Sequence, residues 1–337
     1  MDPFFLTFSS LELEQWYLKY TAESRDLHID ACYWWLAVVI RALALVKFAG
    51  KREHSHLAMC YAHLAWLLAE APLRRALGRR GLWRRREIIV VISRLMHICE
   101  FSTSINEPAA EMFQFESPNV SCKSIFFSVL WHGLLPMVFS GVFQPLRFWL
   151  HLPLHLLSSA FFLATLNVDL CMATGGASIP GMDPVHDWLD GLAKQILGIL
   201  LATRLDDDPA WKVEYPCLQM GMFLQGYLGF GIVSYVIWVS EHNSRVKFVE
   251  NLPRENKPSE PVIPLQHSIV VFHAVALIVA YGVFWRVFLS VGPGIIYWRT
   301  HGARRLGTTS EMSSLLGSNS VLEGDALGAG SAWFAKG

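Results

Sequence analysis

Four long stretches of the chain contain no Asp, Glu, Lys or Arg. They run 26 residues between Glu214 and Glu241, 25 between Glu260 and Arg286, 23 between Lys123 and Arg147, and 21 between Arg147 and Asp169. A helix rises 1.5 Å per residue, so crossing hydrocarbon takes about 20 residues, and each stretch is long enough. Their apolar cores predict spanning helices over 124–143, 148–172, 217–240 and 268–291, the last stopped by Gly292, Pro293 and Gly294. Three earlier segments, 31–49, 57–73 and 88–105, are apolar on most faces but are punctured by Arg41, by Glu70, and by Arg94 with Glu100. A charge near a helix end snorkels to the headgroups and one facing a neighbouring helix is paired, so these also count as spans.

The stretch 185–203 differs. Val185, Trp188, Leu189, Leu192, Ile196, Ile199 and Leu200 share one face, while Asp187, Asp190, Lys194 and Gly198 share another. Its charge-free part, between Lys194 and Arg204, is only nine residues, which favours an amphipathic helix in the membrane interface, or a re-entrant one, over an eighth span. The expected fold class is therefore an all-α polytopic membrane bundle of about seven spans (six to eight) with one interfacial helix. Residues 1–30 form an N-terminal cytosolic segment, 31–301 the bundle, and 302–337 a Gly-, Ser- and Ala-rich tail expected to be disordered. No basic region and apolar core precede a small-residue cleavage site, so no signal peptide is expected, and no internal repeat is visible.

Composition agrees. Of 337 residues 53% are hydrophobic and 17% charged, against about 25% charged in soluble proteins. With 28 basic and 28 acidic side chains the net charge is zero, which implies no nucleic-acid partner. The lipid bilayer is the expected partner, and nothing sets an oligomeric state.

Between the second and third spans lie Arg74, Arg75, Arg79, Arg80, Arg84, Arg85 and Arg86, with no acid among residues 74–86. Such a loop stays cytosolic. It is either a topological anchor alone or also a site for anionic lipids, where each basic residue near the surface contributes about 1 kcal/mol. Alternation places 106–123 on the far side, in line with Glu107, Glu111 and Glu116 and with the glycosylation triplet at Asn119. Lys47, Lys51 and Arg52 would also lie there, against the usual bias, and Arg299, Arg304 and Arg305 would follow an outward exit. A further crossing at 185–203 would cure only the second conflict.

Ionisable groups inside spans are costly, about 2.5–3.5 kcal/mol at a helix centre, and so are functional candidates by default. Arg94, His97 and Glu100 are spaced by three along one side of the third span. With Arg41, His63 and Glu70 they are expected to form an intramembrane polar centre, serving either as a proton or anion path or as internal salt bridges that fix helix packing.

His151 and His155 are four apart and face the same way if the helix survives Pro153, a spacing that can hold a metal, completed by His132. The His-x-x-x-His pattern resembles membrane di-iron oxidases and desaturases, but their further histidine boxes and adjacent His-His pairs are missing. Imidazoles bonded within the bundle are the simpler expectation. Ser128, Trp131, His132 and Gly133 resemble the Ser-x-x-Trp-His-Gly stretch around the catalytic histidine of membrane-bound O-acyltransferases. The resemblance covers six residues and implies His132 as general base on an acyl acceptor. Against it, the histidine falls early in the chain and Asn106 lies in no matching motif; the alternative is a Trp-His packing pair.

Cys32, Cys60, Cys99, Cys122, Cys171 and Cys217 show no Cys-x-x-Cys and no zinc spacing. Cys122, Cys171 and Cys217 would share the outer boundary, so one disulfide among them is plausible, the pair left open. No dinucleotide fingerprint, phosphate loop or nucleophile elbow is present, and no cofactor is expected. A small transporter or channel, or a membrane scaffold, follows from these observations; a membrane enzyme with a histidine-based site is the alternative.

Overall fold

The computed structural model of the protein describes residues 1–2, 4–23, 27–48, 54–103, 133–168, 171, 182–203, 205, 215–253, 255, 257 and 265–317. Among these it is all-helical, with no strand. The chain forms two compact units, Met1–Pro293 and Gly294–Gly337.

Helix α1 (Leu11–Thr21) begins where the Ser10 hydroxyl accepts from the Leu13 amide at 3.3 Å, with Glu12 and Glu14 in its first turn to match the helix dipole. Helix α2 spans Leu27–Phe48, and α3 spans His54–Thr103. At Gly78 the backbone takes φ 57° and ψ 176°, a left-handed region that glycine enters without a Cβ penalty, and this breaks α3 into two arms. Contacts between Glu70 and Ser93, Trp66 and Ser93, and Cys60 and Glu100 move apart in sequence, as in an antiparallel pair. The expected arginine loop is thus mostly helix, with its reversal concentrated at Gly78. Helix α2 lies along this pair, where the Trp34 indole donates to the Leu67 carbonyl at 2.7 Å and Tyr33, Ala37 and Leu67 form a small core.

Helix α4 (Leu134–Phe143) starts at Gly133, φ 74°, and ends before Pro145. Helix α5 (Phe148–Phe162) continues through Pro153 into π-helical turns at Leu163–Asn167. Helix α6 covers Asp183–Leu201, within two residues of the amphipathic stretch expected from the sequence. Helix α7 (Pro216–Met222) runs through π-helical turns at Phe223–Ile232 into α8 (Val233–Glu250), and α9 covers His267–Gly317. A disulfide joins Cys171 to Cys217, Cα atoms 5.6 Å apart, tying the end of α5 to the start of α7. Helix α6 is seated on α9, since Tyr281 donates to the Leu189 carbonyl and Trp285 to the Asp190 carboxylate at 2.8 Å.

Three helices among the described residues are long and apolar enough to cross a membrane: Phe148–Thr165, Pro216–Glu250 and Ser268–Val291. They coincide with three of the spans expected from uncharged length. The fourth, 124–143, is represented by α4 alone, because 124–132 lie outside the described residues.

Beside a buried apolar core that includes Leu67, Phe162 and Trp285, many large apolar side chains are exposed and several charged ones are buried. Val46 is 78% exposed, Phe272 69% and Ile199 82%, while Arg41 is 3% exposed, Glu100 7% and Arg245 0%. Exposed apolar side chains together with buried charges are compatible with hydrocarbon as the surrounding solvent.

Candidate functional site

Two arms of one helix and a neighbour bring four of the six expected polar-centre residues together. Arg41 projects from α2, His63 from the first arm of α3, and His97 and Glu100 from the second. Arg41 donates from Nε and Nη2 to Glu100 Oε2 at 3.0 and 2.8 Å, and from Nη1 to the Ala37 carbonyl at 3.4 Å. His63 Nδ1 lies 2.6 Å from the same carboxylate oxygen, so it donates there. The Cys60 thiol donates to Glu100 Oε1 at 3.5 Å.

A guanidinium has no acceptor, so the 2.6 Å contact of Arg41 Nη2 with His97 Nδ1 assigns the lone pair to that nitrogen. By the same logic the 3.3 Å approach of Arg41 Nη2 to His63 Nδ1 sets two donors side by side. One carboxylate oxygen on the second arm of α3 therefore receives three N–H donors from two other helical segments, α2 and the first arm of α3. Removing Glu100 from this arrangement strands the Arg41 cation and removing Arg41 strands the Glu100 anion, which is why breaking a buried pair costs about 3–5 kcal/mol.

Arg94 leaves this group. Although it is one helical turn from His97, its side chain points to the α4–α5 junction, where it donates to the Gln144 and Gly141 carbonyls and, at 3.0 Å, to His151 Nδ1. Among the described residues no carboxylate pairs with it. His151 and His155 do face the same way, rings 4.6 Å apart, despite Pro153. Each is held by the bundle: His151 contacts Ser234 at 3.4 Å through Nε2, and His155 donates from Nε2 to the Gly229 carbonyl at 2.7 Å. His132, Asn119 and Cys122 lie outside the described residues.

Glu70 belongs to a third group nearer Gly78. It accepts from Arg74 Nε at 2.7 Å and from Ser93 at 3.2 Å. Asp30 accepts two bonds of 2.8 Å from Arg86 and one of 3.3 Å from Arg74. Two of the seven arginines are thus turned inward onto carboxylates, while Arg75 and Arg85 are exposed. The side chains of Arg79, Arg80 and Arg84 are outside the described set.

A fourth group was not expected from the sequence. Glu14 on α1 accepts from Arg245 Nη1 and Nη2 at 2.7 and 2.8 Å, from Arg147 at 3.2 Å and from the Phe8 amide at 3.0 Å. Arg245 also donates to Glu241, and Arg147 to Glu87 at 2.6 Å. The guanidinium of Arg245 lies over the Tyr17 ring at 4.0 Å. Burial alone would push the Glu14 carboxyl up, but the Arg245 hydrogen bonds and charge, with Phe8 and Arg147, hold it below its ordinary value. Burial likewise works against charge on Arg147, and Glu87 and Glu14 outweigh it, raising its pKa. No sequence signal could have found this group, because its partners are 231 positions apart.

A cavity of about 240 Å³ adjoins it, lined by Tyr17, Thr21, Arg86, Glu87, Arg147 and Glu241 among others. None of Arg41, His63, Glu70, Arg94, His97 and Glu100 lines it. Its size is below the roughly 300–1,000 Å³ of small-molecule sites. Comparison with known protein families, with curated proteins and with solved structures finds no match.

Proposed function

We propose that the protein is a non-enzymatic, seven-span integral membrane scaffold in which buried ion pairs lock the helices in register. The observation that carries this reading is the mutual pairing of the polar centre. Arg41, His63 and Glu100 are buried, bonded to one another, and absent from the lining of the cavity. A conduction path needs such groups beside water, where they can exchange protons or ions. Charged groups paired with one another act instead on packing, and each of the four groups links segments distant in sequence. The seven spans are the three apolar helices together with α2, the two arms of α3, and the 124–143 segment.

The arginine-rich turn at 74–86 faces the cytosol in this scheme. Its exposed members Arg75 and Arg85 contact anionic headgroups, while Arg74 and Arg86 hold Asp30 and Glu70. The test is reconstitution into proteoliposomes enclosing a pH-sensitive dye. Proton and anion flux is expected to stay at the level of lipid alone, and Glu100→Gln is expected to lower thermal stability without changing flux. A flux above the lipid level that Glu100→Gln abolishes would overturn the scaffold in favour of a transporter.

A further inference from the structure

Cys60 and His63 sit three apart on one arm of α3, and His97 and Glu100 sit three apart on the other. Two such pairs on antiparallel helices point their donors at one place, which is how helical bundles build metal sites from i, i+3 pairs. The geometry carries this out. One ligand atom each from His63, His97 and Glu100 lies within 4.8 Å of the others. The Cys60 sulfur approaches the same carboxylate from its other oxygen at 3.5 Å. Tetrahedral Zn²⁺, with bonds of about 2.0–2.3 Å, holds its ligands about 3.3–3.8 Å apart, so these three need to contract by about 1 Å at their widest, while the Cys60 thiol stands outside that 4.8 Å group and must turn in from the far carboxylate oxygen to complete the site.

We propose that Cys60, His63, His97 and Glu100 form a binding site for a Zn²⁺-class divalent ion, and that Arg41 is its built-in competitor. Arg41 Nη2 stands where these donors converge, 2.6 Å from His97 Nδ1, 2.8 Å from Glu100 Oε2 and 3.3 Å from His63 Nδ1. A cation already occupies the position. One sulfur, two imidazole nitrogens and one carboxylate form a donor set suited to zinc.

Charge and protons balance in the exchange. On binding, the Cys60 S–H bond breaks and its proton leaves to solvent, giving a metal-thiolate bond. The Nδ1 proton of His63 moves to Nε2, freeing the Nδ1 lone pair. Glu100 supplies the second negative charge, so ion, thiolate and carboxylate together are neutral. The guanidinium keeps its proton and swings out, since its retained charge would leave the dry site at +1. The Glu100 side chain keeps 10% exposure and marks the way in. This assignment is independent of the scaffold reading.

The experiment is Co²⁺ titration of the full chain in detergent micelles, read by the visible bands of tetrahedral cobalt and the near-ultraviolet thiolate charge-transfer band. One equivalent is expected to bind with both signatures. Cys60→Ser is expected to remove the charge-transfer band, and His97→Gln to weaken binding at least tenfold. Arg41→Gln is expected to tighten it by about tenfold or more, since the buried charge that must be displaced is gone. Wild type and Arg41→Gln both lacking tetrahedral bands would overturn the site, whatever the folding of the other variants. A charge-transfer band that survives Cys60→Ser would place the metal on another cysteine and overturn it as well. Binding by Arg41→Gln no tighter than wild type would refute the competitor role.

Discussion

Glu14→Gln is the most informative single change outside the membrane-facing helices, because this carboxylate ties α1 to the bundle beside the apolar contact of Leu13 and Tyr17 with Phe248. It accepts from Arg245 twice, from Arg147 and from the Phe8 amide, and its side chain is only 9% exposed, so solvent screens little of the interaction. An amide keeps the shape and one acceptor oxygen but removes the charge. Breaking a buried pair costs about 3–5 kcal/mol, and Arg245 retains Glu241, which places the loss near the lower end, about 3 kcal/mol. For a unit of this size each kcal/mol lowers the midpoint by about 2 °C, giving a drop of about 6 °C. Intrinsic fluorescence unfolding in detergent reads it, since Tyr17 and Trp16 report on α1. The pH profile supplies an independent check. Because the folded pKa of Glu14 is depressed, its stabilisation is full above the free carboxyl value, about 4.3, and is lost as the pH falls from there through the depressed value. Wild type should show this acid loss and Glu14→Gln should lack it. A midpoint within 1 °C of wild type, or identical acid profiles, would refute the reasoning.

Further expectations follow from the same contacts. Removing the disulfide by Cys171→Ser reopens a span of 46 positions and is expected to cost at most about 4 kcal/mol, seen as a lower midpoint that reductant no longer changes. A Cβ at Gly141 would stand 2.7 Å from Val233 Cγ1 and 3.3 Å from Ile237 Cδ1, so Gly141→Ala should cost about 1–3 kcal/mol by pushing α4 off α8; an unchanged midpoint would show that this contact yields freely. Replacing Arg75 and Arg85 together by Ala should weaken flotation with anionic vesicles by about 2 kcal/mol, roughly 30-fold, with stability unchanged. Arg86→Ala should instead destabilise the fold by stranding Asp30, and equal effects of the two changes on flotation would argue against the division between headgroup and inward arginines.

Several local elements were legible from the chain alone, although α9 runs through the expected stop at Gly292, Pro293 and Gly294 to Gly317. Uncharged length located α5, the α7–α8 helix and the apolar part of α9, because hydrocarbon tolerates only a helix whose backbone is satisfied internally. Period 3.6 located α6 at Asp183–Leu201, because one apolar stripe needs no knowledge of what covers it. The candidate site was legible only as a list of improbable charges. Spacing by three set Arg94 beside His97 and Glu100 on one helix, but the structure sends Arg94 to the Gln144 carbonyl and the other two to Arg41. That choice depends on which helix stands on each side, which periodicity within one helix does not contain. Cys60 acquires a role only because Gly78 reverses α3 and brings residue 60 opposite residue 100. The pairing of Cys171 with Cys217 and the Glu14–Arg245 bond are decided in the same way. Hydropathy and spacing are properties of neighbouring residues along the chain and act before folding. Ion pairs between remote segments exist only once packing has removed water and left each charge the partners within reach.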